Sequence, residues 1–152
     1  MGFIVYLVIF EYHLNVNFMD LVDLVDFMHD FAQEIGGQFS EYDKTKSIIV
    51  IPLEQGRFQT VIGRKKEETS KRAMIEISSK ICRYKDTLNL LELLEENSNL
   101  CHSKFTISED YLKVEATTSI EAIAPEILKE MILEVAEVAD HWEQRLAGVD
   151  VH

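Results

Sequence analysis

The stretch Leu112–Met131, LKVEATTSIEAIAPEILKEM, carries the reading of the fold. Leu112, Val114 and Ala116 alternate with Lys113, Glu115 and Thr117, the period of two that a half-buried strand requires. Ile120 and Ile123 follow in an elbow of small residues, where they are expected to plug a corner. Pro125 then opens a helix, because at the first turn its missing N–H costs nothing and its fixed φ favours entry. Leu128, Met131, Ile132, Val135, Val138, Ala139, Trp142 and Leu146 recur at helical spacing, and Gly148 is the expected stop. A strand therefore hands the chain to a long amphipathic helix that folds back on the sheet. The stretch holds no histidine and no cysteine, so the corner reads as scaffolding.

Upstream, Lys104–Ser108 and Tyr111–Thr117 form a hairpin around Glu109-Asp110. Before it lies a second helix, LNLLELLEEN, with Asp86 or Thr87 as the expected cap. At about 100° per residue, Leu90, Leu91, Leu93 and Leu94 spread over roughly 160°, more than one sheet face asks of a short helix. Two accounts fit that arc: burial against the sheet and a second subunit, or a deep position in a monomer core. The first makes the protein a homodimer with Leu90, Leu93 and Leu94 at or beside the interface.

Four segments between Gln38 and Arg83 lack a helical period. Gln38–Tyr42 is short and weak, and Ser47–Leu53 places Pro52 near a strand end. Phe58–Arg64 follows a turn at Gln55-Gly56. Ala73–Arg83 sets Ile75, Ile77, Ser79, Ile81 and Arg83 on one face and Met74, Glu76, Ser78, Lys80 and Cys82 on the other, as in an antiparallel sheet covered on one side. A first helix runs from Met19, with an apolar stripe of Leu21, Leu24, Val25, Met28, Phe31, Ala32 and Ile35. Asn17 is its expected cap, Gly36-Gly37 its stop, and Asp20, Asp23, Asp26, Asp30 and Glu34 its acidic side. The fold expected is α+β: an antiparallel sheet of about five strands with helices packed on one face, in the order α-β-β-β-α-β-β-α. One domain spans residues 19–148. Residues 1–18 are a strand-like extension, or an upstream segment before a start at Met19.

Composition narrows the function. The 152 residues carry a formal charge of −12, which opposes general nucleic-acid affinity. The apolar run Phe3–Phe10 is shorter than the roughly 20 residues that span a bilayer, and neither a basic residue before it nor a cleavage site after it marks a signal peptide. A cytoplasmic protein without membrane insertion is the expectation. Cys82 and Cys101 fit neither a disulfide framework nor a metal spacing, and both are expected to be buried thiols. The histidines share no ligand spacing, and Gly36-Gly37 follows a helix instead of opening one onto a phosphate. Ser78-Ser79 lacks a nearby histidine and a glycine elbow, while Glu92, Glu95 and Glu96 read as a solvated helix edge. No catalytic, cofactor or metal site is expected, and the protein reads as a non-enzyme.

Charge is unevenly spread. Nine of the 15 basic residues lie between Arg57 and Lys85, a span with only three acids. Arg64, Lys65 and Lys66 at its centre are the candidate partner-facing cluster. Lysine protection of a strand edge is the plainer account, and RNA binding through GRKK, residues 63–66, is a third.

Three segments, LNLLELLEENSN, FTISEDYLKVEATTSIEAIAPEILKEM and LEVAEVADHWEQRL, together with this element order, resemble the type III secretion chaperone fold shared by the Tir-chaperone group and YbjN-like proteins. The resemblance covers about Met19 to Ala147 and contains no catalytic signature. It implies a small acidic homodimer and a chaperone-like module that holds an extended segment of a partner protein. A regulatory or small-ligand-binding domain of the same fold is the alternative.

Overall fold

The structure, a computed structural model, describes residues 23–67, 73–121 and 123–147. Phe3–Phe10, Asn17, Met19, Leu21 and Gly148, which figure in the expectations above, lie outside the described residues. In chain order the elements are α1 (Leu24–Glu34), β1 (Gln38–Asp43), β2 (Lys46–Pro52), β3 (Phe58–Glu67), β4 (Ala73–Arg83), α2 (Leu90–Glu96), β5 (Lys104–Ser108), β6 (Tyr111–Ser119) and α3 (Pro125–Ala147). The strands form one antiparallel sheet in the order β1-β2-β3-β4-β6-β5. The sheet has six strands where about five were expected, because the weak Gln38–Tyr42 segment is a full edge strand. Five of its six residues are exposed, so β1 shows no apolar alternation, and only Phe39 reaches the core.

The first helix begins at Leu24, where Asp23 caps it by accepting a hydrogen bond from the Val25 N–H at 3.1 Å. Phe27 joins Leu24, Met28, Phe31 and Ala32 in the core, whereas Val25 and Ile35 are only half-buried. Gly36 ends the helix at φ 68, and the Gly37 N–H donates back to the Ala32 carbonyl. A Cβ on Gly37 would lie 2.6 Å from the Val50 carbonyl oxygen, so the turn passes against β2 with no room for a side chain. Gly63 plays a similar part under α1, where a Cβ would stand 2.8 Å from the Met28 methyl.

Two of the tight hairpins use left-handed residues. Gln55 and Gly56 have φ of 59 and 73 between β2 and β3, and Glu109 and Asp110 have 53 and 61 between β5 and β6. Two successive positive φ values match the right-handed twist of the strands they join. The cap of α2 is Asn89, whose Oδ1 accepts from the Glu92 N–H, in place of the expected Asp86 or Thr87. Leu88 is spent on the core before the helix starts, so the capping position falls at the residue after it.

The corner after β6 behaves as its sequence requires. Leu112, Val114, Ala116, Ile120 and Ile123 are buried, and the Ile120 N–H donates to the Ala73 carbonyl. From there α3 lays Leu128, Met131, Ile132, Val135, Ala136, Ala139 and Trp142 on the sheet. Each fully buried aliphatic side chain is worth about 1.5–3 kcal/mol, so this stripe dominates the packing. Two polar ties fix its rotation. The Arg57 Nε donates to both Asp140 carboxylate oxygens at 3.0 and 3.1 Å. Glu134 accepts from the N–H groups of Cys101, His102 and Ser103 and from the Ser103 hydroxyl. The cysteine expectation is corrected: Cys101 is exposed and Cys82 half-buried. Cys101 sits in the loop that Glu134 clamps, where backbone polarity keeps the chain at the surface.

Candidate partner-binding surfaces

Helices α1 and α3 pack against the sheet face that carries Ile49, Ile51, Val61, Ile75, Ile77 and Val114, and α2 adds Leu93 to the same core. Among the described residues the opposite face carries no helix. Alternation assigns it Ile48, Val50, Ile62, Arg64, Lys66, Glu76, Lys80 and Lys113, and the pairings Ile48↔Ile62, Arg64↔Glu76 and Lys80↔Lys113 join these across strands. Phe58 stands on the same face at the end of β3 with 63% of its surface exposed. Its large ring in solvent is the unusual feature, since Val50, Ile48 and Ile62 further along the same face are half-buried.

The structure divides the expected basic cluster. Arg64 and Lys66 share the open face and both bind the Glu76 carboxylate, at 2.6 and 2.9 Å. Burial pushes the Glu76 pKa up, but hydrogen bonds from Lys66 and Arg64 and the field of both cations outweigh it, leaving it below the ordinary value. Lys65 points the other way and pairs with Asp23 at the start of α1. Period two in β3 already implied this split, since Lys65 continues the register of Val61 and Gly63.

The leucines of α2 also divide. Leu93 is 4% exposed and belongs to the core, whereas Leu90 is 40% and Leu94 is 66% exposed. Leu91 of the same arc is also 66% exposed, and Ile107 on neighbouring β5, which the sequence does not assign to it, extends this exposed shelf. Between α2 and β5 lies a shallow hollow of about 210 Å³ floored by Leu93, Phe105 and Leu112. A helix of seven residues cannot turn a broad arc into one core, so the excess remains outside.

A larger cavity of about 500 Å³ opens where α2, the end of β4 and the end of α3 meet. Ile81, Leu93, Trp142 and Leu146 give it an apolar lining, and Arg145, which pairs with Glu92 and lies 4.6 Å over the Trp142 ring, stands at its rim. Among the described residues no three of histidine, cysteine, aspartate and glutamate converge as metal ligands would. No helix among them is long and apolar enough to cross a membrane.

These elements define an α+β protein whose described residues cover one sheet face with helices and leave the other without one. No family model matches the chain, and no curated protein matches it. A chain in the solved structure of the HopA1–SchA chaperone–effector complex is similar over 81% of this chain and 98% of its own length, at 13% sequence identity and a TM-score of 0.49.

Proposed function

We propose that this protein is a non-enzymatic, chaperone-like binding module that holds an extended segment of a partner protein on the open face of its sheet. The observation that supports this reading is the apolar band of Ile48, Val50, Ile62 and exposed Phe58 on a face that no described helix covers. Apolar side chains aligned along pleated strands suit an extended chain, whose alternate residues present the matching period. The working unit is residues 19–148, acting in the cytoplasm without membrane insertion or cofactor. A labelled peptide alternating threonine and valine is expected to bind, with amide shifts in NMR spectra confined to outward positions of β2, β3 and β4. Ile62→Asp with Phe58→Asp is expected to weaken that binding at least about tenfold, roughly 1.4 kcal/mol. Shifts that map to the helices instead would rule the face out.

The same proposal includes a homodimer formed through the leucine shelf of α2. Leu90 and Leu94, with Leu91, present apolar surface that a two-fold contact would bury twice, while Leu93 supports the shelf from inside the core. Leu94→Asp is expected to yield a folded monomer, because the residue is exposed within one subunit. Light scattering that finds the unmodified protein monomeric at about 50 μM, a concentration where a micromolar dimer is largely formed, refutes the contact.

The cavity of about 500 Å³ favours a second reading, a small-ligand-binding domain, since volumes of roughly 300–1,000 Å³ with apolar walls and a few polar groups suit small molecules.

A further inference from the structure

We infer that the partner segment is acidic: the open face is built to take an extended chain that presents carboxylates at alternate positions. This rests on the proposed binding reading and adds the chemistry of the partner to it. Outward positions of the strands carry Lys46, Arg64, Lys66, Lys80, Lys104 and Lys113 against Asp43, Glu76 and Glu115, with Glu109 of the β5–β6 turn bound to Lys113. The chain as a whole has a formal charge of −12, so this face opposes the sign of the molecule.

Internal pairing leaves the excess in place. One carboxylate, Glu76, serves both Arg64 and Lys66, whose side chains remain 45% and 53% exposed. Lys80 stands directly opposite Lys113 across the β4–β6 pair, an arrangement that costs free energy because like charges face each other. The Tyr111 ring lies under the Lys80 ammonium at 4.0 Å and the Glu109 carboxylate holds Lys113 at 3.0 Å, so of the two cations Lys80 is the one without a carboxylate among these contacts. A carboxylate laid between β4 and β6 would neutralise the repulsion. Spacing agrees: alternate residues of an extended chain recur about every 6.8 Å, the repeat that separates Arg64 from Lys66 along β3.

Two features favour a peptide over a nucleic acid. Ile48, Ile62 and Phe58 share the face with the cations, so a fitting partner offers apolar side chains as well as charges. The acidic remainder of the molecule repels a long polyphosphate, whereas a short peptide is confined to the open face.

Fluorescence anisotropy on the intact protein tests this with four labelled probes: peptides alternating valine with glutamate, with threonine or with lysine, and a short single-stranded RNA. The glutamate peptide is expected to bind at least about tenfold tighter than the threonine peptide, and to weaken as salt rises from about 50 to about 300 mM. Lys80→Glu with Lys104→Glu, checked for folding by circular dichroism, is expected to abolish that preference. Equal affinity for the glutamate and threonine peptides overturns the acidic partner and leaves the binding module standing. RNA binding as tight as the glutamate peptide overturns it in favour of a general polyanion surface. Failure of every peptide to bind overturns both readings.

Discussion

Trp142→Ala is expected to lower the stability of the fold by about 3–5 kcal/mol, the range for deleting a large buried aromatic. Trp142 is buried at the end of α3, meets Phe105 edge-on at 5.3 Å between ring centroids and lies beneath the Arg145 guanidinium. Phe105 in turn anchors β5, whose Phe105 N–H is held by the Asn97 side chain at 2.7 Å. Removing the indole therefore loosens α3, β5 and the turn after α2 together. Urea unfolding followed by circular dichroism should show a lower midpoint with an unchanged slope, because the loss is in the folded packing. A cost below about 1 kcal/mol would show that the neighbouring cavity lets the site collapse without penalty.

Glu134→Ala is the second large effect, about 2–4 kcal/mol, since hydrogen bonds to a charged acceptor are each worth about 1.5–3 kcal/mol and are not additive. The carboxylate gathers the Ser103 hydroxyl at 2.6 Å and the N–H groups of Ser103 at 2.8 Å and His102 at 3.0 Å. It thereby pins the loop before β5 to the middle of α3. Burial alone raises the Glu134 pKa, but the Ser103 hydroxyl and the His102, Ser103 and Cys101 N–H groups outweigh burial and hold it below the ordinary value. A depressed folded pKa means that this stability is fully present above the unfolded value of about 4.3 and is lost as pH falls through the folded value. The unmodified protein should therefore lose more stability than Glu134→Ala on acidification below about pH 5. Parallel stability–pH curves for the two proteins would remove Glu134 from the acid response. Glu134→Gln keeps an acceptor, so its stability above about pH 5 should fall between the two, with the pH response of Glu134→Ala.

How much was legible beforehand depended on whether a residue's role is set by local periodicity. The elbow after β6 was, because Pro125, the alternation of Leu112, Val114 and Ala116, and the stripe of α3 are all local features. So was the one-sided sheet, from Ile75, Ile77 and Ser79 in β4. Strand β1 was under-read, because an edge strand of mostly exposed residues leaves little apolar signal. The leucines of α2 were read as one group, yet Leu93 and Leu94 are separated by the wall of the core. The four-fold clamp on Glu134 had no sequence signal at all, since its donors lie some thirty positions away in a loop.

By itself the sequence determined the α+β class, the covered face of the sheet and the long closing helix, since each follows from the three- to four-residue or two-residue period of its own segment. Tertiary structure alone decided which charges share a surface. Arg64 and Lys66 meet Glu76 on the open face, and Lys80 meets Lys113, only because β3, β4 and β6 lie side by side in one register. Lys65, one residue from both of its neighbours, is turned to the helices by the same pleat. Register between strands is a long-range property, fixed by the packing of the whole core, and no local pattern encodes it.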